Sequence, residues 1–94
     1  MTKYNLTFSG KFKKDFKRYQ KRPKEVAAIM ELIKILEQGT TAIPERMKPH
    51  KLIGNYRDTW ECHVFPDLLL IWEQEEEPVN EVHLLRLGSH SELF

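Results

Sequence analysis

The chain has 94 residues, 40% hydrophobic and 11% aromatic, with a formal net charge of +1. That length supplies a single domain over 1–94 with one modest core and no room for a second. No apolar run approaches the roughly 18 residues of a membrane helix, MTKYNLTFSGK lacks the apolar stretch of a secretory signal, and the lone Cys62 has no partner for an internal disulfide. The expectation is a cytoplasmic protein with no membrane partner.

The net charge conceals an asymmetry. Nine of the 15 Lys and Arg lie in the first 24 residues beside a single acid, Asp15, while four of the 14 acids form the run EQEEE, Glu73 to Glu77. A polyanion would therefore meet the N-terminal part. YNLTF (4 to 8) alternates as a short first strand, and Ser9 is a good N-cap for a helix carrying an apolar stripe of Phe12, Phe16 and Tyr19. Lys11, Lys13, Lys14, Lys17, Arg18, Lys21 and Arg22 lie along this segment, as either a solvated face or a phosphate-contacting one. A second helix follows Pro23, with Val26, Ile29, Ile33 and Leu36 inward and Gly39 at its C′ position. Joined by a short connection, the helices should form an antiparallel hairpin whose apolar face a sheet covers. Residues 40 to 58 read as irregular chain with a short extended piece at 51 to 53.

From Thr59 the period is two: Trp60, Cys62 and Val64 point one way, and Thr59, Glu61, His63 and Phe65 the other. Pro66-Asp67 is a tight turn, LLLIW (68 to 72) is apolar on both faces as a central strand is, EEEP turns the chain, and VNEVHLLRL (79 to 87) forms the last strand, ended by Gly88. SHSELF is a polar tail. The sum is α+β, a β-α-α unit followed by a three-stranded antiparallel meander.

No glycine-rich phosphate loop, CxxC, HExxH or nucleophile elbow is present. The remaining candidates are His50, His63, Asp67, Arg86 and His90. A meander brings the Pro66-Asp67 turn and the end of the last strand to one edge of the sheet, so these residues can converge. Two histidines divide the roles of base and acid, and an arginine stabilises charge on a phosphate. RNA brings its own nucleophile, the 2′-hydroxyl, so such a site needs neither metal nor cofactor. Plainer readings stand beside this one. His63 can bond a backbone carbonyl, Asp67 can cap its turn, His83 is structural, and Trp60, Trp72 and Cys62 are core. A metal triad of His50, His63 and Asp67 is the chemical rival, although its spacing matches no ligand motif.

FSGKFKKDFKRYQKR, PHKLIGNYRDTWECHVFPDLLLIW and LLRLGSHSELF together resemble the RelE/ParE superfamily of bacterial toxin–antitoxin toxins, and specifically its YafQ branch. The most specific parts are H-x-L-x-G from His50, H-V-x-P-D from His63 to Asp67, and R-x-G-x-H-x-x-L-F from Arg86 to Phe94. The resemblance implies a RelE-like compact microbial ribonuclease fold and a metal-independent, ribosome-dependent mRNA endonuclease that cuts in the ribosomal A site. It also implies a cognate antitoxin as partner beside ribosomal RNA and mRNA, and a site of His50, His63, Asp67, Arg86, His90 and Phe94. Where the family pattern often has a large aromatic after the aspartate, this chain has Leu68. A non-nucleolytic toxin of the same fold and a binding module with a decayed site remain as alternatives.

Overall fold

The apolar stretch that follows the Pro66-Asp67 turn dictates the architecture, because a strand buried on both faces must have neighbours on both sides and cover above and below. In the computed structural model, which describes residues 3–54 and 56–94, this stretch is the middle of a five-stranded sheet. The strands are β1 (Asn5–Phe8), β2 (His50–Lys51), β3 (Trp60–Phe65), β4 (Leu68–Glu75) and β5 (Glu81–Gly88), in the order β1-β5-β4-β3-β2. β1 is parallel to β5, and all other pairs are antiparallel. Leu69, Leu70, Ile71 and Trp72 of β4 are fully buried.

Helices α1 (Gly10–Lys17) and α2 (Pro23–Leu36) cover one face of this sheet. Phe12, Tyr19, Ile29, Leu32 and Leu36 pack there against Cys62, Leu70, Trp72, Val82, Leu84 and Leu87. The Trp72 indole N–H, which burial would otherwise orphan, donates to Thr40 Oγ1 at 2.9 Å. Ser9 caps α1 as expected, accepting from Phe12 N at 2.9 Å and donating to Leu85 O at 2.7 Å. Pro23 occupies the first turn of α2, which ends at Leu36 with Glu37 as its cap, two residues short of Gly39.

Two β-bulges re-aim the strands. In β5 the partners of Ile71 and Trp72 are Arg86 and Leu84, so one residue, Leu85, is inserted. The insertion lets Leu84 and Leu87 both face the helices and turns Arg86 to the opposite side. Strict alternation from Leu84 would have aimed Arg86 into the core. The second bulge lies between His63 and Phe65, and it places Phe65 against the same core as Val64 rather than on the His63 side. Two further expectations change. His50 lies within strand β2 instead of preceding it, and the polar tail is a helical turn, α3 (His90–Leu93).

Gly39 has φ +92°, and a Cβ there would come within 2.7 Å of the Tyr4 ring, whereas one on Gly10 would meet nothing within 4 Å. Gly39→Ala should therefore lower the unfolding free energy by about 1–3 kcal/mol in urea titration, while Gly10→Ala should leave it equal or slightly higher.

Candidate functional site

The register lines up His50, Glu61, Ile71 and Arg86 across four strands, on the face opposite α1 and α2. His63 pairs with Leu69 one step nearer the Pro66-Asp67 turn, on the same face. Leu69 and Ile71 form a second, smaller apolar floor there, sealed by Leu93 of α3 with Leu52, Tyr56 and Leu85 around it. The ionisable residues beside the most buried strand thus stand at the rim of a rigid floor.

The helix α3 is what brings the chain's end to this rim. Ser89 is its N-cap, Glu92 completes a capping box, and Glu92 also accepts from Arg18 Nη1 at 2.9 Å and from Tyr19 Oη at 3.3 Å. These bonds, the backbone N–H of Ser89 foremost, hold the Glu92 carboxyl below its ordinary pKa. Gly88 leaves room for this turn: a Cβ there would lie 2.9 Å from Glu92 Oε1 and displace that carboxylate from its bonds. His90 and Phe94 are thereby presented on one side, with ring centroids 5.8 Å apart. The His90 ring lies 6.2 Å from that of His63. Asp67 Oδ1 accepts from the His90 backbone N–H at 3.3 Å and sits 3.9 Å from its Nδ1, near enough to attract an imidazolium without a hydrogen bond. His63, Asp67, His90 and Phe94 accordingly converge.

Arg86 is held from behind. Its Nε and Nη2 donate to the two carboxylate oxygens of Asp15 at 2.8 and 3.2 Å, and its Nη1 donates to Tyr56 Oη at 3.1 Å. Of five guanidinium N–H groups, two have no partner among the described residues. Asp15 also accepts from the Leu87 backbone N–H at 3.0 Å and, with its side chain only 3% exposed, holds the Arg86 guanidinium more firmly protonated than usual. Tyr56 has φ +61° and packs edge-on against Phe94, with centroids 5.5 Å apart, so Arg86 and the α3 terminus share a wall.

His50 stands apart from His63 and His90, in a pair of its own. Its Nδ1 lies 2.7 Å from Lys48 O, a group that can only accept, so Nδ1 carries a proton. Its Nε2 lies 3.3 Å from Glu61 Oε1, an ion-pair distance when the imidazole is protonated. Glu61 is 3% exposed, and its Oε2 has no partner among the described residues. With Nδ1–H committed to Lys48 O, neutral His50 keeps its lone pair on Nε2. Glu61, Asp15 and Tyr56 were not among the residues expected from the sequence. A strand-face acid two positions before His63 was the available signal for Glu61; nothing in periodicity marked Asp15 or Tyr56.

Among the described residues, the ligand atoms of His50, His63 and Asp67 do not gather within 4.8 Å of one another, as those of Glu73, Glu75 and His83 do at the other end of the sheet. Burial pushes the Cys62 thiol up to about 12, so it supplies no nucleophile. Lys11, Lys13, Lys14 and Lys17 share one exposed face of α1. Lys21 is exposed in the following turn. Arg18 is engaged by Glu92, and Arg22 stacks over the Tyr19 ring at 5.4 Å.

Residues 4–94 match the family described as "Bacterial toxin of type II toxin-antitoxin system, YafQ". The chain is 31% identical over 94 residues to the mRNA interferase toxin YafQ of Escherichia coli K12, covering 100% of this chain and 99% of that protein. The toxin in the E. coli DinJ–YafQ toxin–antitoxin complex is 30% identical and superimposes with a TM-score of 0.83, covering 98% of each chain. A metal-bound toxin from Helicobacter pylori is 35% identical, with a TM-score of 0.81 and coverage of 97% of this chain and 99% of that one.

The geometry separates two contacts of Asp15. Asp15→Ala strands a guanidinium and a backbone N–H and should cost about 3–5 kcal/mol in urea unfolding. Arg18→Ala, which removes a half-exposed partner, should cost about 1 kcal/mol or less by the same measurement.

Proposed function

The chain belongs to the YafQ family of toxins from bacterial type II toxin–antitoxin systems, and from that premise we propose that it is an mRNA interferase. In this reading it is an endoribonuclease that cuts translated mRNA in the ribosomal A site by acid–base catalysis without a metal, and is silenced by a cognate antitoxin. The observation that carries the reading is the convergence of His63, Asp67, His90 and Phe94 at one edge of the sheet, beside an Arg86 with two unused donors.

Each group has a role its surroundings allow. The base is His50, whose Nδ1–H is committed to Lys48 O and whose Nε2 takes the 2′-hydroxyl proton as that oxygen attacks the adjacent phosphorus. Arg86, fixed by Asp15 and Tyr56, meets the charge that grows on the phosphoryl oxygens, where preorganised donors contribute most. His90, with an Asp67 carboxylate oxygen 3.9 Å from its Nδ1, gives its proton to the departing 5′-oxygen. His63 orients the phosphate between them, and Phe94 offers a half-exposed ring for a base. Leu68 is buried in the core and offers no such surface. The free lysines of α1 suit ribosomal RNA, and the exposed surface around them suits docking on a polyanion. The relative that forms a complex with DinJ supports an antitoxin as the second partner.

His90 has an exposed side chain whose own atoms make no hydrogen bond among the described residues, so His90→Ala should lower the cleavage of ribosome-bound mRNA by the 10²- to 10⁴-fold typical of a general acid, with melting temperature and ribosome binding unchanged. Cleavage by the wild type should persist in EDTA at concentrations that keep ribosomes intact; loss rescued only by a transition metal would replace the acid–base scheme. A second expectation concerns α1. Because Arg18 also anchors α3, the informative variant replaces Lys11, Lys13, Lys14 and Lys17 by Gln. It should weaken ribosome binding and flatten its dependence on salt, and an unchanged slope returns those lysines to a solvated face.

A further inference from the structure

Two clefts flank the Phe65–Asp67 turn, and their charges differ. One, of about 530 Å³, is lined by Arg18, Arg22 and Lys24 and equally by Glu25, Asp67 and Glu92, so its charge cancels. The other, of about 480 Å³, runs from the Glu45–Met47 turn to His63 and is lined by Arg46, Lys48, His63, Phe65 and Pro66 with no carboxylate. Among the described residues neither Arg46 nor Lys48 forms an ion pair, and both are exposed. Two uncompensated cations bordering a candidate catalytic histidine call for an anion. The backbone adds a second observation. Lys48 sits in the left-handed region, φ 54° and ψ 53°, a conformation that a lysine rarely adopts, and its carbonyl there holds His50 Nδ1. One residue thus borders the groove with its side chain and positions His50 with its main chain.

We propose that this groove is an RNA-strand subsite in which Arg46 and Lys48 grip backbone phosphates next to the scissile one, with the Phe65 and Pro66 surfaces beside the ribose and base. The inference rests on the nuclease reading of the site and names where its substrate lies. An RNA strand is favoured over an acidic peptide because the cations adjoin His63, where a phosphate must arrive for cleavage. Each phosphate neutralised on a single strand contributes about 0.7 to the slope of log K against log salt, so two contacts contribute about 1.4.

The test measures binding of a short, fluorescently labelled, 2′-O-methylated oligoribonucleotide by anisotropy across a salt series, which requires neither ribosome nor cleavage. Arg46→Gln with Lys48→Gln should weaken binding and reduce the slope by about 1.4, and Arg46→Gln alone by about half that. Should the double variant fold poorly by circular dichroism, Lys48→Asn, which tolerates the left-handed backbone, replaces Lys48→Gln. On ribosome-bound mRNA Arg46→Gln alone, which leaves the Lys48 backbone that holds His50 untouched, should raise KM more than it lowers kcat. A wild type that does not bind the oligonucleotide, or a double variant with wild-type affinity and slope, overturns the subsite. Loss of binding to a poly-glutamate peptide with RNA binding intact overturns it too and assigns the groove to an acidic protein segment. Oligonucleotide binding by a wild type that never cleaves ribosome-bound mRNA would instead refute the nuclease reading alone.

Discussion

A carboxylate buried at the edge of β5 organises everything else on this fold. β1 pairs with β5 only as far as Leu84, and beyond it the strand would present unpaired N–H groups to the interior. α1 closes that edge. The Ser9 hydroxyl donates to Leu85 O, and Asp15 takes the N–H of Leu87 in place of a neighbouring strand. A carboxylate in that position carries a charge that burial would make costly, and the Arg86 guanidinium, delivered to it bidentately, neutralises it. The bulge at Leu85 supplies the geometry, since without the extra residue Arg86 would face the helices. One contact therefore satisfies an edge strand, anchors a helix and aims a cation at the candidate site.

The same economy places the chain's end. A four-residue helix has no stability of its own, yet α3 is held by a capping box, by Gly88 beneath it, by Leu93 in the second apolar cluster, and by Glu92 reaching Arg18 and Tyr19. Four weak constraints on one turn fix two rings. His90 and Phe94 are thus exposed enough to meet a ligand while the backbone carrying them is tied to α1. The Glu92 carboxyl stays charged to lower pH than an ordinary carboxyl, because the Ser89 bonds hold its pKa down, and acidification beyond that point removes the tie.

Legibility from the sequence followed the type of interaction. The central strand, the Ser9 cap, the Pro66-Asp67 turn and the meander were legible because local propensity and periodicity agree there with the tertiary result. The two bulges were not, since period two carries no mark of an inserted residue, and both Phe65 and Arg86 end on faces that alternation does not predict. Nor was the α3 helix, although S-x-x-E at Ser89 to Glu92 is a capping box; four residues from a chain end gave no apolar run to accompany it. The residues of the candidate site that came from matching motifs, His50, His63, Asp67, Arg86, His90 and Phe94, are self-evident polar or terminal positions. Their supports, Asp15, Tyr56 and Glu61, are 71, 30 and 11 positions away from the residues they hold, a separation that only the folded chain shortens.

The overall charge of +1 understates what a polyanion would meet, and geometry shows why. β4 begins at the candidate site with Leu68 and runs to Glu75, a length of about 24 Å at roughly 3.4 Å per residue. The acidic run thus lies at the opposite end of the sheet, some three Debye lengths away at physiological ionic strength, where that length is about 8 Å. It is also partly occupied locally: Tyr4 Oη and Gln74 Nε2 both donate to Glu76 Oε2, and His83 lies 3.6 Å from carboxylate oxygens of Glu75 and Glu81. Acids so placed cancel the cations of α1, Arg46 and Lys48 in the sum and not in the field those cations exert on a ligand at the site. Their effect on a polyanion is orientational: such a ligand is repelled from the end of the sheet that carries the acidic run and attracted to the end that carries the candidate site.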